Sequence, residues 1–283
     1  MEGKSQMLAG LIDAIVESPW GRDFAGNLLN ATIPRGGYRV VRDITYGDGA
    51  WRKLDVYVPK GLKGPAPVVL FIFGGGWEFG TRKTYRFLAE AFTSAGIVTA
   101  VADYRLYPEA RYPDFLEDNA LALRFLHERA AEFGGDPERL FLAGHSAGAY
   151  NAVMLAADPR YLGAPESEAL KGVIGISGLY DFLPLTSLVM IDLFGGDNVR
   201  ETQPIEYVDR KMAPMLLAHG SLDDVVDPGN SRRMAAKLSE FGSEVVLREF
   251  ADAGHTDILV SLARGFRGRT TLRQDIITFI RAH

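Results

Sequence analysis

Gly144-His145-Ser146-Ala147-Gly148 follows the apolar run Arg139-Leu140-Phe141-Leu142-Ala143 and precedes Ala149-Tyr150-Asn151-Ala152-Val153-Met154-Leu155-Ala156-Ala157. The first run reads as a buried strand and the second as a helix. A Gly-x-Ser-x-Gly joining such a pair is the sequence form of a nucleophile elbow. The turn is tight enough to strain the serine backbone, and side chains two residues to either side would collide. The hydroxyl then stands clear of the sheet with a helix N-terminus behind it. The pattern occurs once in the chain. The plain alternative, a glycine-rich turn with an incidental serine, is weakened by the flanking strand and helix.

Composition narrows the field. At 283 residues and 47% hydrophobic content the chain suits one large α/β domain with a substantial core. A net charge of −5 argues against a nucleic-acid partner, which would ordinarily meet a basic surface. The absence of Cys removes disulfides, zinc–thiolate sites and cysteine nucleophiles together, and fits a reducing, cytoplasmic location. No stretch is long enough for a membrane span, since Pro67 to Phe73 is strand-sized and stops at glycines. The N-terminus does not read as a signal peptide, because Asp13 and Glu17 interrupt its apolar residues. Met7, Leu8, Leu11, Ile12, Ile15 and Val16 repeat instead at helical spacing, so residues 1–36 read as a helix and loop packed on the core.

Working outward, Arg39 to Tyr46 and Arg52 to Val58 alternate across Gly47-Asp48-Gly49 and predict a hairpin. Unalternating strands are expected at Pro65–Phe73, Ile97–Ala102, Leu140–Ala143, Gly172–Ser177, Pro214–Ala218 and Glu244–Phe250. Helices are expected at Thr84–Ala95, Phe115–Phe133 and Thr271–Ala282. Buried strands separated by helices predict a mostly parallel sheet of about eight strands covered on both faces, within a single α/β domain. Ligand chemistry in such a sheet gathers beyond the carboxyl ends of its strands. Residues 178–213 are long for a crossover and read as an inserted cap; one ordinary crossover helix with long loops is the alternative.

A serine hydroxyl needs an adjacent base. Of the five His, His127 falls within a helix, His283 at the terminus and His145 in the elbow, where neighbouring side chains diverge. His219 closes a strand; it could reach the site region, but reads as ordering the loop after it. His255, in Ala253-Gly254-His255-Thr256 just past the final strand, is the candidate base. The base needs a carboxylate to fix its tautomer, and Asp223 or Asp224 could supply it. Phe73-Gly74-Gly75-Gly76-Trp77 follows a strand directly. Its N–H groups, with that of Ala147, could converge on one developing oxyanion. A phosphate cradle is unsupported, because no Lys-Ser/Thr follows the glycines.

With these residues in place, the chain resembles the α/β-hydrolase superfamily from about Tyr46 to the C-terminus. Within it, the chain looks like the carboxylesterases of the hormone-sensitive-lipase and bacterial-esterase type. The resemblance rests on Phe73 to Trp77, Asp103-Tyr104-Arg105-Leu106-Tyr107-Pro108-Glu109, Gly-His-Ser-Ala-Gly, His219-Gly220…Asp223 and Gly254-His255. It implies hydrolysis of small to medium carboxylic esters through an acyl-enzyme on Ser146, without metal or organic cofactor. His255 would be the base and Asp223 the acid, with Asp224 second. Gly75, Gly76 and Ala147 would be the oxyanion donors, with Gly74 as the positional uncertainty. An arylformamidase-like amide hydrolase and a non-catalytic ligand-binding homologue are the alternatives, and a homodimer stays open. Trp77, Phe79, Leu179, Tyr180, Phe182 and Leu183 are expected as substrate walls, and the N-terminal helix could cover the site. Asp103 and Arg105 are expected to form an ion pair, with Tyr104, Tyr107 and Tyr112 packing nearby. The chain departs from the family at Phe73, where a His usually braces the glycine loop.

Overall fold

Ala66-Pro67-Val68-Val69-Leu70-Phe71-Ile72 has no polar face to offer to water, so it needs cover on both sides. In the computed structural model, which describes residues 26–31, 33–34 and 36–283, it is the third of eight strands in one sheet. The strands are β1 (Tyr38–Thr45), β2 (Lys53–Pro59), β3 (Ala66–Ile72), β4 (Val98–Ala102), β5 (Gly135–His145), β6 (Leu170–Ile176), β7 (Met215–Gly220) and β8 (Val245–Phe250). Their spatial order is β1-β2-β4-β3-β5-β6-β7-β8. The β1–β2 and β2–β4 pairings are antiparallel and every other pairing is parallel. The expected hairpin is β1–β2, at one edge. β4 is buried at every position, whereas edge strands β1 and β8 keep part of their length in water.

The helices are α1 (Arg86–Thr93), α2 (Asp114–Arg129), α3 (Ala147–Ala157), α4 (Ala164–Ala169), α5 (Leu188–Phe194), α6 (Gly229–Glu240), α7 (Asp257–Val260) and α8 (Leu272–Ala282). α3 buries every residue except Ala156 and sits against the middle of the sheet. Each large apolar side chain hidden in this way contributes about 1.5–3 kcal/mol relative to exposure. No helix was expected at α6, yet its buried residues Asn230, Ser231, Met234, Ala235 and Leu238 fall at helical spacing. Two of them are polar, which blunts the apolar period.

Residues 178–213 lie between β6 and β7 and contain α5 and two short 3₁₀ turns, Arg200–Thr202 and Pro204–Tyr207. The segment is fastened from three sides. Tyr112 N donates to Leu193 O at 2.9 Å, the Tyr150 hydroxyl donates to Thr202 O at 2.6 Å, and Asn230 Oδ1 accepts the amides of Tyr180 and Asp181 at 2.9 Å. The ring of Phe194 meets Trp77 and Tyr150 edge-on at 5.1 and 5.6 Å. The helix expected over Met7 to Val16 lies outside the described residues.

The expected Asp103–Arg105 pair does not form. Asp103 directly follows β4 and meets Arg82, which is buried among three carboxylates. Arg82 Nε donates to Asp55 Oδ1 at 2.9 Å, its Nη atoms reach Asp103 and Asp43, and its backbone amide donates to Asp103 Oδ1 at 2.6 Å. Arg105 turns away to α2, where its Nε donates to the fully buried Asp118 at 2.8 Å; Arg52 reaches the same carboxylate at 3.1 Å.

Removing the guanidinium of Arg82 leaves Asp55 buried without a counter-charge, a loss of about 3–5 kcal/mol. The expected outcome for Arg82→Met is a urea midpoint lowered by that equivalent. A midpoint within about 1 kcal/mol of the parent would show that Arg82 does not hold β2, β4 and the loop after the glycines together.

Candidate active site

β5 runs into α3 through Ser146, whose φ of 56° and ψ of −123° lie where non-glycine residues are held only under constraint, at about 1–3 kcal/mol. The constraint is a lack of room. A Cβ at Gly144 would lie 2.1 Å from Gly148 O, and a Cβ at Gly148 would lie 2.0 Å from Ile72 O. Only glycine at both positions lets α3 start directly against β3 and β5. Ser146 N donates to Ile176 O at 2.9 Å, which ties the turn to β6. The first N–H groups of α3, beginning with Ala147, have no acceptor within the helix and carry its positive dipole end.

The glycine loop lies against this turn. A Cβ at Gly74 would lie 3.0 Å from Ser146 Cβ and 2.5 Å from His145 O. Gly75 takes φ +126°, and its carbonyl accepts the amides of Glu78 and Phe79, both at 3.1 Å. No hydrogen bond engages the amides of Gly75 or Gly76 among the described residues. The brace that a His would supply at position 73 is replaced by stacking. The Phe73 ring lies between Tyr104, at 4.6 Å, and Tyr85, at 5.7 Å. The Tyr104 hydroxyl donates to Phe73 O at 2.8 Å. At the other end of the loop, Trp77 Nε1 donates to Asn151 Oδ1 of α3 at 3.0 Å. The loop is thereby pinned to the helix that carries the serine.

Past β7 and β8, His255 Nδ1 donates to Asp223 Oδ2 at 2.8 Å. Asp223 is buried and Asp224 is exposed, so only the first of the two adjacent carboxylates reaches the ring. Burial alone would raise the Asp223 carboxyl. Hydrogen bonds from His219 and His255, the charge of His255 and the Val226 amide outweigh it and hold the group well below the usual carboxylate range. Asp223 Oδ1 accepts the amides of Val225 and Val226 at 3.1 and 2.8 Å. His219 orders the following loop as expected, with Nε2 3.0 Å from Val226 O, and it also lies 3.1 Å from Asp223 Oδ2.

His145 joins the two halves of the site. Its Nε2 donates to His255 O at 2.9 Å, and the two rings lie 4.7 Å apart. The serine hydroxyl and the His255 ring are not hydrogen-bonded to each other in this structure. Such contacts are often long without substrate and tighten in the Michaelis complex.

Two expected substrate walls are corrected. Trp77 is 1% exposed and Tyr180 is fully buried, so neither presents surface to a ligand. Trp77 faces inward because its indole N–H is satisfied by Asn151 and its ring is surrounded by Phe115, Tyr150 and Phe194. Tyr180 fits its ring against Gly175 and Gly178, where no Cβ intervenes. Leu179 and Phe182 are half-buried, and Phe182 meets Tyr150 edge-on at 5.8 Å. No group of three or more His, Asp or Glu that could hold a metal occurs among the described residues. A cleft of about 410 Å³ on the β1–β2 flank, lined by Asn30, Arg42, Asp43, Lys83 and Arg86, shares no residue with this site.

Known proteins give this geometry a setting. Residues 54–238, from β2 to α6, match the BD-FAE family. A probable isoprenylcysteine alpha-carbonyl methylesterase, ICMEL1 of Oryza sativa, is 30% identical over 86% of this chain and 63% of its own length. Esterase LipC of Mycobacterium tuberculosis is 30% identical over 79% of this chain and 61% of its own. The chain spans 56% to 64% of the length of the plant methylesterases it matches. A thermostable esterase structure from Pseudomonas putida shares the fold, with a TM-score of 0.75 at 22% identity over 94% of this chain and 90% of that one.

The brace on Phe73 yields a test. Tyr104→Phe keeps the ring stack and removes one donor from a buried carbonyl, which lowers unfolding stability by about 1–3 kcal/mol. Thermal or urea denaturation of the purified variant measures it, and an unchanged midpoint would assign the loop's rigidity to stacking alone.

Proposed function

We propose, from the premise that this chain belongs to the BD-FAE family of α/β-hydrolases, that it is a serine carboxylesterase acting on small to medium esters. The observation that carries the reading is the Asp223–His255 hydrogen bond of 2.8 Å beside a serine in the strained elbow conformation.

The ester carbonyl sits between Ser146 Oγ and the glycine loop. His255, donating Nδ1–H to Asp223, keeps Nε2 as an acceptor. As Oγ attacks the carbonyl carbon, its proton passes to His255 Nε2, and Asp223 steadies the imidazolium. The negative charge on the former carbonyl oxygen is met by the amides of Gly75, Gly76 and Ala147. One such donor is worth about 10²–10³ in kcat. Collapse expels the alcohol, which takes the proton from His255, and the acyl group remains on Ser146. Water then repeats the sequence with His255 as base, releasing the acid. No step calls for a metal or an organic cofactor. Residues 178–213 act as a cap, with Leu179 and Phe182 as its half-buried apolar contribution to the acyl or alcohol pocket, so short chains are favoured over long lipids. The chain acts in the cytoplasm, in keeping with its lack of Cys.

Ser146→Ala is expected to abolish hydrolysis of p-nitrophenyl esters and labelling by a fluorophosphonate while leaving the unfolding midpoint unchanged; retained turnover overturns the reading. Asp223→Asn lowers kcat by about 10⁴, as loss of the orienting acid does elsewhere, whereas Asp224→Asn stays within a few-fold of the parent. The reverse order would move the acid to Asp224. Across a graded series of acyl lengths, kcat/KM falls beyond medium chains. A formyl anilide hydrolysed faster than every ester would make the chain an amide hydrolase instead.

A further inference from the structure

The hydrogen-bond pattern around His219 is decided by its acceptors. Val226 O can only accept, so the proton lies on His219 Nε2, 3.0 Å from that carbonyl. The same Nε2 also lies 3.1 Å from Asp223 Oδ2, so its N–H, directed at Val226 O, passes close to that oxygen as well. Nδ1 is then an acceptor, filled by the hydroxyl of Ser231 at 2.8 Å. His219 and Ser231 are both fully buried, so water does not compete for these positions. Asp223 Oδ2 therefore accepts the N–H of His255 and has the polar Nε2–H of His219 beside it at 3.1 Å, while Oδ1 receives two amides.

We propose, resting on the reading of Ser146, His255 and Asp223 as one catalytic unit, that His219 is a positioning residue. Its Nε2–H holds the shared oxygen of Asp223 in line with His255 and draws off part of the charge that would otherwise make His255 more basic. Two donors on one oxygen divide its electron density, so removing one strengthens the other. Without the His219 donor, Asp223 accepts more strongly from His255, stabilises its imidazolium and raises its proton affinity.

The other groups around the ring act elsewhere. His145 contacts the His255 main chain through Nε2, and its ring centroid lies 4.7 Å from that of His255 with the planes tilted at 46°. Asp257, from the start of α7, accepts the Gly254 amide at 3.2 Å. Asp224 faces solvent. Asp223 stays ionised through the working range, so the acid limb of kcat/KM reports His255.

The test is the pH profile of kcat/KM on a p-nitrophenyl ester. In His219→Phe the acid limb moves to higher pH by about 0.5 unit, a threefold gain in the proton affinity of His255, and kcat on the plateau falls. His219→Gln, whose side-chain amide can donate from nearly the same place, returns the limb toward the parent position. Ser231→Ala releases the tautomer of His219 and moves the limb in the same direction by less. A purely structural role would lower kcat and leave the limb in place. An unmoved limb in a folded His219→Phe variant overturns the proposal. Should that variant not fold, the proposal is overturned by an unmoved limb in Ser231→Ala, or by nitrogen-15 spectra of the parent protein showing no proton on His219 Nε2. Ser146→Ala separates the two levels. Turnover that survives it sinks the catalytic reading, whereas turnover that needs Ser146, with a limb indifferent to His219, sinks this inference alone.

Discussion

Everything at the site depends on the contact between the start of α3 and the end of β3. Gly148 lies so close to Ile72 O that no side chain fits between them, and Gly144 faces Gly148 with equally little room. This double close approach leaves Ser146 no relaxed backbone geometry. The sheet and the buried helix around it hold the turn against its tendency to open, a small local loss offset by a large apolar core. The same closeness brings the glycine loop, which continues directly from β3, beside the serine. One steric fact thus places the hydroxyl and the loop amides together before any catalytic side chain is considered.

The second half of the site is assembled by polar bonds. Asp223 is buried, accepts three hydrogen bonds and has His219 Nε2 close by, so its orientation is fixed by its own turn and not by His255 alone. His145 then links the histidine loop back to the elbow through a main-chain carbonyl. The two halves differ in character. Shape fixes Ser146, and hydrogen bonding fixes Asp223 and His255. Phe73 lies on the shape side. Its stack with Tyr104 and Tyr85 replaces a polar brace by an aromatic one, and the loop's carbonyl remains satisfied through the Tyr104 hydroxyl.

The elbow, the sheet order of burial and the early hairpin were legible because each depends on local pattern: glycine spacing, unbroken apolar runs and alternation. Side-chain partnership across the fold was not. Asp103 and Arg105 are near neighbours in sequence, yet Arg82 and Asp118, from other elements, claim them. An aromatic after a glycine loop reads equally as a pocket wall or as an anchor. Trp77 proves to be an anchor because Asn151, a full helical turn beyond Ala147, waits for its N–H. α6 went unread because Asn230 and Ser231, polar and inward-facing, interrupt its apolar stripe. The contact of His219 with Asp223 has a faint sequence signal in their separation of four residues, but only the folded loop turns that spacing into a shared oxygen.

Those two inward polar residues of α6 give the helix a double duty. Asn230 carries the backbone of residues 180 and 181, where the segment over the sheet begins, and its neighbour Ser231 steadies His219 behind the carboxylate. The turn at residues 180 and 181 and the ring behind Asp223 consequently share a single foundation. A shift of this one helix would therefore move the start of residues 178–213 and the surroundings of Asp223 together.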